Sequence, residues 1–294
     1  MNQITVAGLS LSLSFLVASL AIFVSFPALK CVRINIHKNM FLSITLNNIA
    51  WLAWYKLVLF DSDVWSANPI WCRILHVLTT YFMLTTYFWM LCEGTYLRMI
   101  LVKTFIEEEI IYRLLMMIGW VIPLFVVIPY IFFRLHHENE LCWMDQGYSV
   151  IFLAVPAIIV ILLNILFLCS VIQVLRKKLL FENSFNQNNN NIALKSARAV
   201  MILVPIFGLH FLLLPIRPER GSIMEYTYEV VSSLSTSLQG FSVSFLLCFC
   251  NSEISLLLRK KMMFLIRMSV DLLWMIFRTK KVTRNTFRYI LHNT

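Results

Sequence analysis

The chain alternates between long apolar stretches and short polar connections, a pattern typical of a protein that crosses a membrane several times. The apolar stretches cover approximately residues 4–27, 39–60, 72–102, 111–133, 148–175, 199–216 and 226–250. Most are close to the roughly 20 residues that an α-helix needs to cross the hydrocarbon core. The pattern therefore predicts an all-α membrane protein with a bundle of seven transmembrane helices over residues 1–250.

The third stretch contains one carboxylate in an otherwise apolar run. Residues 72–98 read CRILHVLTTYFMLTTYFWMLCEGTYLR, and Glu93 follows Cys72 by 21 residues. At about 1.5 Å per residue the two lie about 30 Å apart on a helix, near opposite faces of the membrane. An ionisable residue in a span is a candidate functional site. The alternative is that Glu93 only extends toward the lipid headgroups.

Composition excludes an ordinary soluble protein. Hydrophobic residues make up 60% of the chain and charged residues 14%, whereas soluble domains carry about a quarter charged residues. We find no HExxH motif, no phosphate-cradling loop and no other arrangement of catalytic or metal-binding residues. The sequence therefore predicts neither an enzyme nor a cofactor.

The distribution of Lys and Arg predicts the orientation, because cytoplasmic connections are enriched in both. Twenty of the 25 basic residues fall on one side of the predicted spans: Lys30, Arg33, Lys38, Arg98, Lys103, Arg113, Arg176, Lys177, Lys178, Lys195, Arg198, Arg259, Lys260, Lys261, Arg267, Arg278, Lys280, Lys281, Arg284 and Arg288. The other side has Lys56, Arg73, Arg134, Arg217 and Arg220. We expect an extracellular N-terminus, a cytoplasmic basic tail over residues 279–294, and no nucleic-acid partner.

Two of the seven cysteines fall on the predicted outer side. Cys72 begins the third span and Cys142 lies in the second outer loop. An extracellular setting permits such a pair to oxidise. A disulfide between them would tie the loop to the third helix.

Six of the eight prolines lie in the predicted spans. The sixth span contains Pro205 and Gly208 in the sequence PIFG. A proline removes a backbone hydrogen bond and bends a helix, which makes this segment a candidate hinge. The alternative is that prolines are simply common in transmembrane helices.

Polar residues form a narrow stripe after the seventh span. Spacings of 7, 7, 4 and 7 separate Glu253, Lys260, Arg267, Asp271 and Arg278. This stripe predicts a C-terminal amphipathic helix over residues 251–278 that lies in the inner interface on anionic lipid. An eighth span is the alternative.

Short motifs occur along nearly the whole chain, up to about residue 265. They are CxRxxxHKNMF from Cys31, YFWMLCEGTYL over 87–97, Gly119-Trp120 with Pro123, Cys142-Trp143, Asn164, KSARAVMILVPIFG, PIRP over 215–218, Gln239-Gly240 and CFCNSE. In this order they resemble the transmembrane core of secretin-family (class B) G protein-coupled receptors, especially the calcitonin-like members.

The resemblance implies a receptor for a calcitonin-like peptide hormone that signals to a heterotrimeric G protein, typically one that stimulates adenylyl cyclase. The peptide would enter an outer funnel with candidate contacts at His76, Trp143 and His210, although His76 could instead face the headgroups. The sixth helix would swing outward at Pro205 and Gly208. The implied G protein-facing residues are Arg33, Tyr96, Leu97, Lys195, Arg198 and Glu253.

The resemblance also implies an inner polar lock that includes His37 and Glu93. In the family a threonine and a tyrosine complete this lock, but the aligned residues here are Val200 and Leu247. Neither side chain can form a hydrogen bond. We therefore expect a less tightly held inactive state, with either raised basal activity or impaired signalling.

Only a few residues precede the first predicted span, and they contain no signal peptide or cysteine-rich outer domain. The family uses that domain to capture its peptide, so this pattern favours a fragment or alternative product of a longer gene. The alternative functions are a non-signalling product that modulates a full-length receptor, and a transporter or channel, for which no internal repeat is found. A single-span accessory protein is a further candidate partner.

Overall fold

The computed structural model describes residues 2–26, 31–102, 107–144, 147–183 and 223–249, together with Leu256, Met263 and Arg267. All regular structure within these residues is helical. The chain divides into two compact units, Met1–Ser244 and Phe245–Thr294.

The long helices of the first unit coincide with predicted spans. In chain order the helices are α1 (Asn2–Ser25), α2 (Val32–Trp54), α3 (Ser62–Ala67), α4 (Ile70–Val102), α5 (Glu108–Met116), α6 (Ile122–His137), α7 (Val150–Asn183), α8 (Ile223–Ser237) and α9 (Gln239–Ser244). A π-helical turn, Tyr55–Leu59, extends α2, and a second, Met117–Val121, joins α5 to α6.

Several helices are longer than the apolar stretches that predicted them. The second helix begins at Val32 rather than residue 39, and α7 continues to Asn183 rather than ending near residue 175. Hydropathy marks the part of a helix that suits lipid, whereas backbone hydrogen bonding continues into polar turns beyond it. The predicted spans were therefore too short at the start of α2 and at the end of α7.

Four helices among the described residues are long and apolar enough to cross a membrane. They are Gln3–Ser25, Ile70–Ile100, Glu108–His137 and Val150–Val174, and Val230–Ser237 with Gln239–Phe249 adds a fifth if this bent pair is one span. The second predicted span coincides with α2, in which Asn39, Asn47 and Asn48 lower the hydropathy.

The helix α4 packs against α2, α6 and α7. A buried cluster joins α4 to α6 and α7 through Leu84, Tyr87, Phe88 and Met90 of α4, Val127 of α6 and Val160 of α7. Because α4 carries most of this cluster, it fixes the positions of the helices on either side. The helix α1 packs against α2, α8 and α9.

Small residues allow α1 and α9 to approach closely. A Cβ atom at Gly240 would overlap the Ser12 hydroxyl and would lie 2.5 Å from Leu16 Cδ1. The Ser12 hydroxyl accepts a hydrogen bond of 3.0 Å from Asn48 Nδ2. Small and weakly polar side chains at such crossings are typical of membrane helices, whose backbones must come together to gain packing energy.

The π-helical turn Met117–Val121 lies immediately before Pro123. A proline has no N–H to donate and clashes with the carbonyl four residues earlier, so a wider turn relieves the conflict. Tyr81 Oη of α4 donates to the Trp120 carbonyl at 3.0 Å, and Trp120 Nε1 donates to Asn39 Oδ1 of α2 at 3.1 Å. The irregular turn is thus hydrogen-bonded to two neighbouring helices.

The second unit is described only in part. Its first residues, Phe245–Phe249, form a π-helical turn in which Cys248 is buried. Leu256, Met263 and Arg267 are helical and exposed. The sixth predicted span (199–216), most of the predicted interfacial helix (251–278) and the tail (279–294) lie outside the described residues.

Candidate functional site

His37 of α2 and Glu93 of α4 meet between two apolar helices. His37 Nδ1 lies 3.1 Å from Glu93 Oε2, and the two side chains are 9% and 8% exposed. Neither atom makes a hydrogen bond of good geometry, so the contact is a close ion-pair approach. A buried charge is tolerated when an opposite charge accompanies it. The pair can hold α2 against α4.

Three of the predicted G protein-facing residues lie in described helices near this pair in sequence. Arg33 is exposed in the first turn of α2, one turn before His37. Tyr96 and Leu97 lie one turn after Glu93 in α4; Tyr96 is buried and Leu97 is half-buried. The other predicted residues of this set, Lys195, Arg198 and Glu253, lie outside the described residues.

The remaining predicted residues of the inner machinery cannot be placed as a group. Pro205, Gly208 and Val200 lie outside the described residues, as does His210, the third residue predicted for the outer funnel. Leu247 is part of the π-helical turn in the second unit.

At the other end of α4 a disulfide joins Cys72 to Cys142, with a Cα–Cα distance of 5.7 Å. Both cysteines are fully buried, in a cluster with Trp54 and Val58. The bond holds the loop after α6 against the start of α4.

One turn into α4 from that disulfide, His76 is surrounded by aromatic rings. Its Nε2 lies 2.9 Å from Tyr130 Oη. The His76 ring centroid is 5.3 Å from that of Trp54 and 6.3 Å from that of Trp143. His76 and Trp143, which the sequence predicts to share a site, are thus brought together, with Trp143 only 3% exposed.

A row of polar side chains on α6 extends from this cluster, and sequence analysis missed it. The Arg134 guanidinium lies 5.7 Å from the Tyr130 ring centroid, and Arg134 Nη1 lies 3.4 Å from Glu138 Oε2. Ser149 Oγ, just before α7, donates to Glu138 Oε2 at 2.5 Å. Tyr130, Arg134 and Glu138 recur every four residues, a spacing that places side chains on one helical face and could have revealed the row.

Glu138 lies just beyond the last turn of α6, and its carboxylate is favoured by its surroundings. The hydrogen bond from the Ser149 hydroxyl is the main reason that the pKa of Glu138 is below its ordinary value; the backbone N–H groups of Ser149 and Tyr148 and the charge of Arg134 act in the same direction, against a smaller effect of burial. Glu138 therefore stays ionised and can hold Arg134 and the start of α7 together.

The turn Leu141–Trp143 has an unusual backbone. Its three residues have φ values of 48°, 52° and 62°, in the left-handed region that non-glycine residues rarely adopt. Such residues cost on the order of 1–3 kcal/mol each and persist only where the surroundings hold them. Here the disulfide at Cys142 and the packing of Trp143 against His76 and Tyr130 hold the turn.

Comparison with known proteins identifies the architecture. A sequence model of the family described as "7 transmembrane receptor (Secretin family)" matches residues 1–243. The calcitonin gene-related peptide type 1 receptor of Danio rerio is 33% identical over 254 residues, which are 86% of this chain and 53% of that protein.

Two other relatives have a similar sequence identity to this chain. Corticotropin-releasing factor receptor 2 of Mus musculus is 32% identical over 86% of this chain and 61% of its own length. The human calcitonin receptor is 32% identical over 88% of this chain and 54% of its own length. The chain therefore spans little more than half the length of these relatives. The family match nevertheless covers most of the chain, and we conclude that this protein belongs to the secretin family of seven-transmembrane receptors.

Proposed function

We propose that this chain forms the transmembrane core of a receptor for a calcitonin-like peptide hormone and passes the signal to a heterotrimeric G protein that stimulates adenylyl cyclase. The family match over residues 1–243 carries the proposal. The similarity to receptors named for calcitonin gene-related peptide and calcitonin supports this peptide class.

The cluster at the Cys72 end of α4 suits the binding of a peptide. His76, Tyr130 and Trp143 combine flat apolar rings with groups that donate or accept hydrogen bonds. Since Tyr130 and Trp143 are only 1% and 3% exposed, they would support the wall of a peptide site from behind, and a large aromatic ring with a polar tip suits that position. We propose that this end faces the extracellular medium and that His76 and Trp143 contribute to the peptide funnel, with His210 as a further candidate.

The pair at the other end of α4 suits a conformational lock. His37 and Glu93 lie 3.1 Å apart and link α2 to α4. We propose that they form the inner polar lock and that Arg33, Tyr96, Leu97, Lys195, Arg198 and Glu253 face the G protein.

Cys72 and Glu93 belong to one uninterrupted helix, about 30 Å apart. Coupling over that distance requires two conformations that the peptide and the G protein contact differently, and we propose an outward swing of the sixth helix at Pro205 and Gly208.

Large apolar side chains on α6 and α7 supply the surface for the remaining partners. Leu124, Phe125, Ile128, Ile158, Leu162 and Leu166 are all exposed. We propose that membrane lipid covers them, and that a single-span accessory protein binding to the bundle would replace lipid there.

The proposal is tested by measuring cyclic AMP in cells that express the chain, after addition of calcitonin, calcitonin gene-related peptide or corticotropin-releasing factor. We expect a rise with at least one peptide of the calcitonin group, and a lower potency for Trp143→Ala at matched surface expression. A surface-expressed chain that responds to none of these peptides, with or without an accessory protein, would contradict the receptor function.

A second function is favoured by the apolar residues Val200 and Leu247 at two lock positions of the family. A product with an incomplete lock could bind a full-length receptor and change its response without signalling itself. Co-expression with the human calcitonin receptor separates the two functions: a modulator alters that receptor's surface level or response while giving no signal alone.

The same positions allow a direct test of the incomplete lock. Ligand-free cyclic AMP would be compared between the wild type and a Val200→Thr, Leu247→Tyr double variant. We expect the two to differ, because the added hydroxyls can form hydrogen bonds that valine and leucine cannot. Equal signalling at matched surface expression contradicts this hypothesis.

A further inference from the structure

Two asparagines connect the loop after α3 with the loop after α6. Asn68 ends α3 in the left-handed region, with φ 50°, and is followed by Pro69. Its Nδ2 donates to the Asn139 carbonyl at 2.9 Å, and its Oδ1 accepts from the Cys142 N–H at 3.1 Å. The Asn68 side chain therefore connects Asn139, two residues before the strained turn, to Cys142 at the centre of the turn.

The Asn139 side chain continues this connection to the aromatic cluster. Its Oδ1 accepts from Trp143 Nε1 at 3.0 Å and from Arg73 Nη1 of α4 at 2.9 Å. The Trp143 indole has a single donor, and this bond determines which way that donor points. The ring then packs against His76 and Tyr130, at centroid distances of 6.3 and 6.1 Å.

We propose that Asn68 and Asn139 form a clasp that holds the Leu141–Trp143 turn in its left-handed conformation and sets the orientation of Trp143. The disulfide fixes only the position of Cys142. The clasp fixes the backbone that precedes Cys142 and the indole of Trp143 that follows. Asn139 is then a positioning residue: it acts on the ligand through Trp143. This second part rests on the proposed function, because it assumes that Trp143 contributes to the peptide site.

Substitutions at Asn139 separate hydrogen bonding from size. Asn139→Asp keeps an oxygen that can accept from both Trp143 and Arg73, whereas Asn139→Leu has a similar volume and no acceptor. Glu140→Leu is the matched control, because it makes a similar change at the adjacent exposed residue. At the other asparagine, Asn68→Gly removes the side chain and keeps a residue that adopts positive φ without strain.

The first measurement needs no ligand. Hydrogen–deuterium exchange of the segment 139–149 would be followed in the full chain purified in lipid nanodiscs. We expect Asn139→Leu and Asn68→Gly to speed exchange about tenfold, as loss of one or two hydrogen bonds predicts, while Asn139→Asp and Glu140→Leu exchange like the wild type. Wild-type exchange in Asn139→Leu, or equal acceleration in Asn139→Asp and Asn139→Leu, overturns the clasp.

The second measurement is the potency of calcitonin gene-related peptide in the cyclic AMP assay. We expect Asn139→Leu to lower potency about tenfold and Asn139→Asp to restore it. In a Trp143→Phe background, which lacks the indole N–H, Asn139→Leu should cost much less, because residues that act through one bond are not additive. If Asn139→Leu lowers the potency by the same factor in the wild type and in the Trp143→Phe background, the positioning role is overturned. The two proposals can fail separately. If Asn139→Leu speeds exchange but the wild type does not respond to the peptide, the clasp stands. Its link to the ligand is then overturned, and the result counts against the proposed function.

Discussion

Arg134 illustrates how a single residue can differ from what its sequence position suggests. The distribution of charges along the chain places it in an outer loop, yet it is 1% exposed in the last turn of α6. A guanidinium loses its hydration there, and the carboxylate of Glu138 and the face of Tyr130 replace it. Its charge therefore stabilises the aromatic cluster at the Cys72 end of α4.

Glu138 should make the stability of this cluster depend on pH in the acidic range. Since the pKa of Glu138 is lowered in the folded protein, its contribution is present at pH values above the ordinary glutamate pKa of about 4.3 and is lost as the pH falls through the lowered value. The thermal unfolding midpoint of the wild type should exceed that of Glu138→Gln by a constant amount above about pH 5, and the difference should shrink toward pH 3. A difference that grows with acidity would contradict this assignment.

The pair His37 and Glu93 should show the behaviour of a buried ion pair. Removing one member leaves an uncompensated charge or polar group and costs about 3–5 kcal/mol, whereas replacing both by apolar residues is close to neutral. We expect His37→Leu to lower the thermal unfolding midpoint strongly and His37→Leu with Glu93→Leu to recover most of the loss. A double variant as unstable as the sum of both single changes would mean that the two side chains do not stabilise each other.

Among the elements, α4 connects the two candidate sites. It carries Cys72 and His76 near one end and Glu93 and Tyr96 near the other, without a break between Ile70 and Val102. The neighbouring span is different, because a π-helical turn precedes Pro123. Hydrogen bonds from Tyr81 and to Asn39 hold that turn, so the irregularity is stabilised from both adjacent helices.

The crossing of α1 and α9 gives a prediction at this scale. Gly240→Ala places a methyl group where Ser12 and Leu16 already lie. Overpacking of this kind costs about 1–3 kcal/mol because the helices must move apart. We expect a lower thermal unfolding midpoint in detergent than for Val231→Leu, which enlarges an exposed side chain on α8. Equal midpoints would show that the crossing can open without cost.

At the scale of the whole molecule, the distribution of Lys and Arg predicts an extracellular N-terminus and a cytoplasmic tail. Twenty of the 25 basic residues fall on one side of the seven predicted spans, and connections of this kind remain in the cytoplasm. An epitope tag before Met1 should be stained on intact cells, and a tag after Thr294 only after permeabilisation. Staining of the C-terminal tag on intact cells would contradict both the orientation and the proposed funnel at the Cys72 end.

The sequence by itself determined the helical membrane class, the family and the approximate positions of the described spans. Hydropathy acts locally along the chain, so a run of apolar residues identifies a span without knowledge of its neighbours. The extra turns of α2 and α7 were missed for the same reason, because backbone hydrogen bonds carry a helix beyond its apolar part. The motif around Glu93 similarly indicated where an unusual carboxylate lies, though not which atoms surround it.

Only the tertiary structure determined which side chains meet. His76 lies 2.9 Å from Tyr130, which is 54 residues away, and Asn139 accepts from Arg73 and Trp143 at once. These contacts depend on the packing of α6 against α4 and on the left-handed turn at Cys142, and neither leaves a local signal in hydropathy. Burial follows from the same packing, which is why Arg134 counted as a loop charge in the sequence and is enclosed in the folded chain.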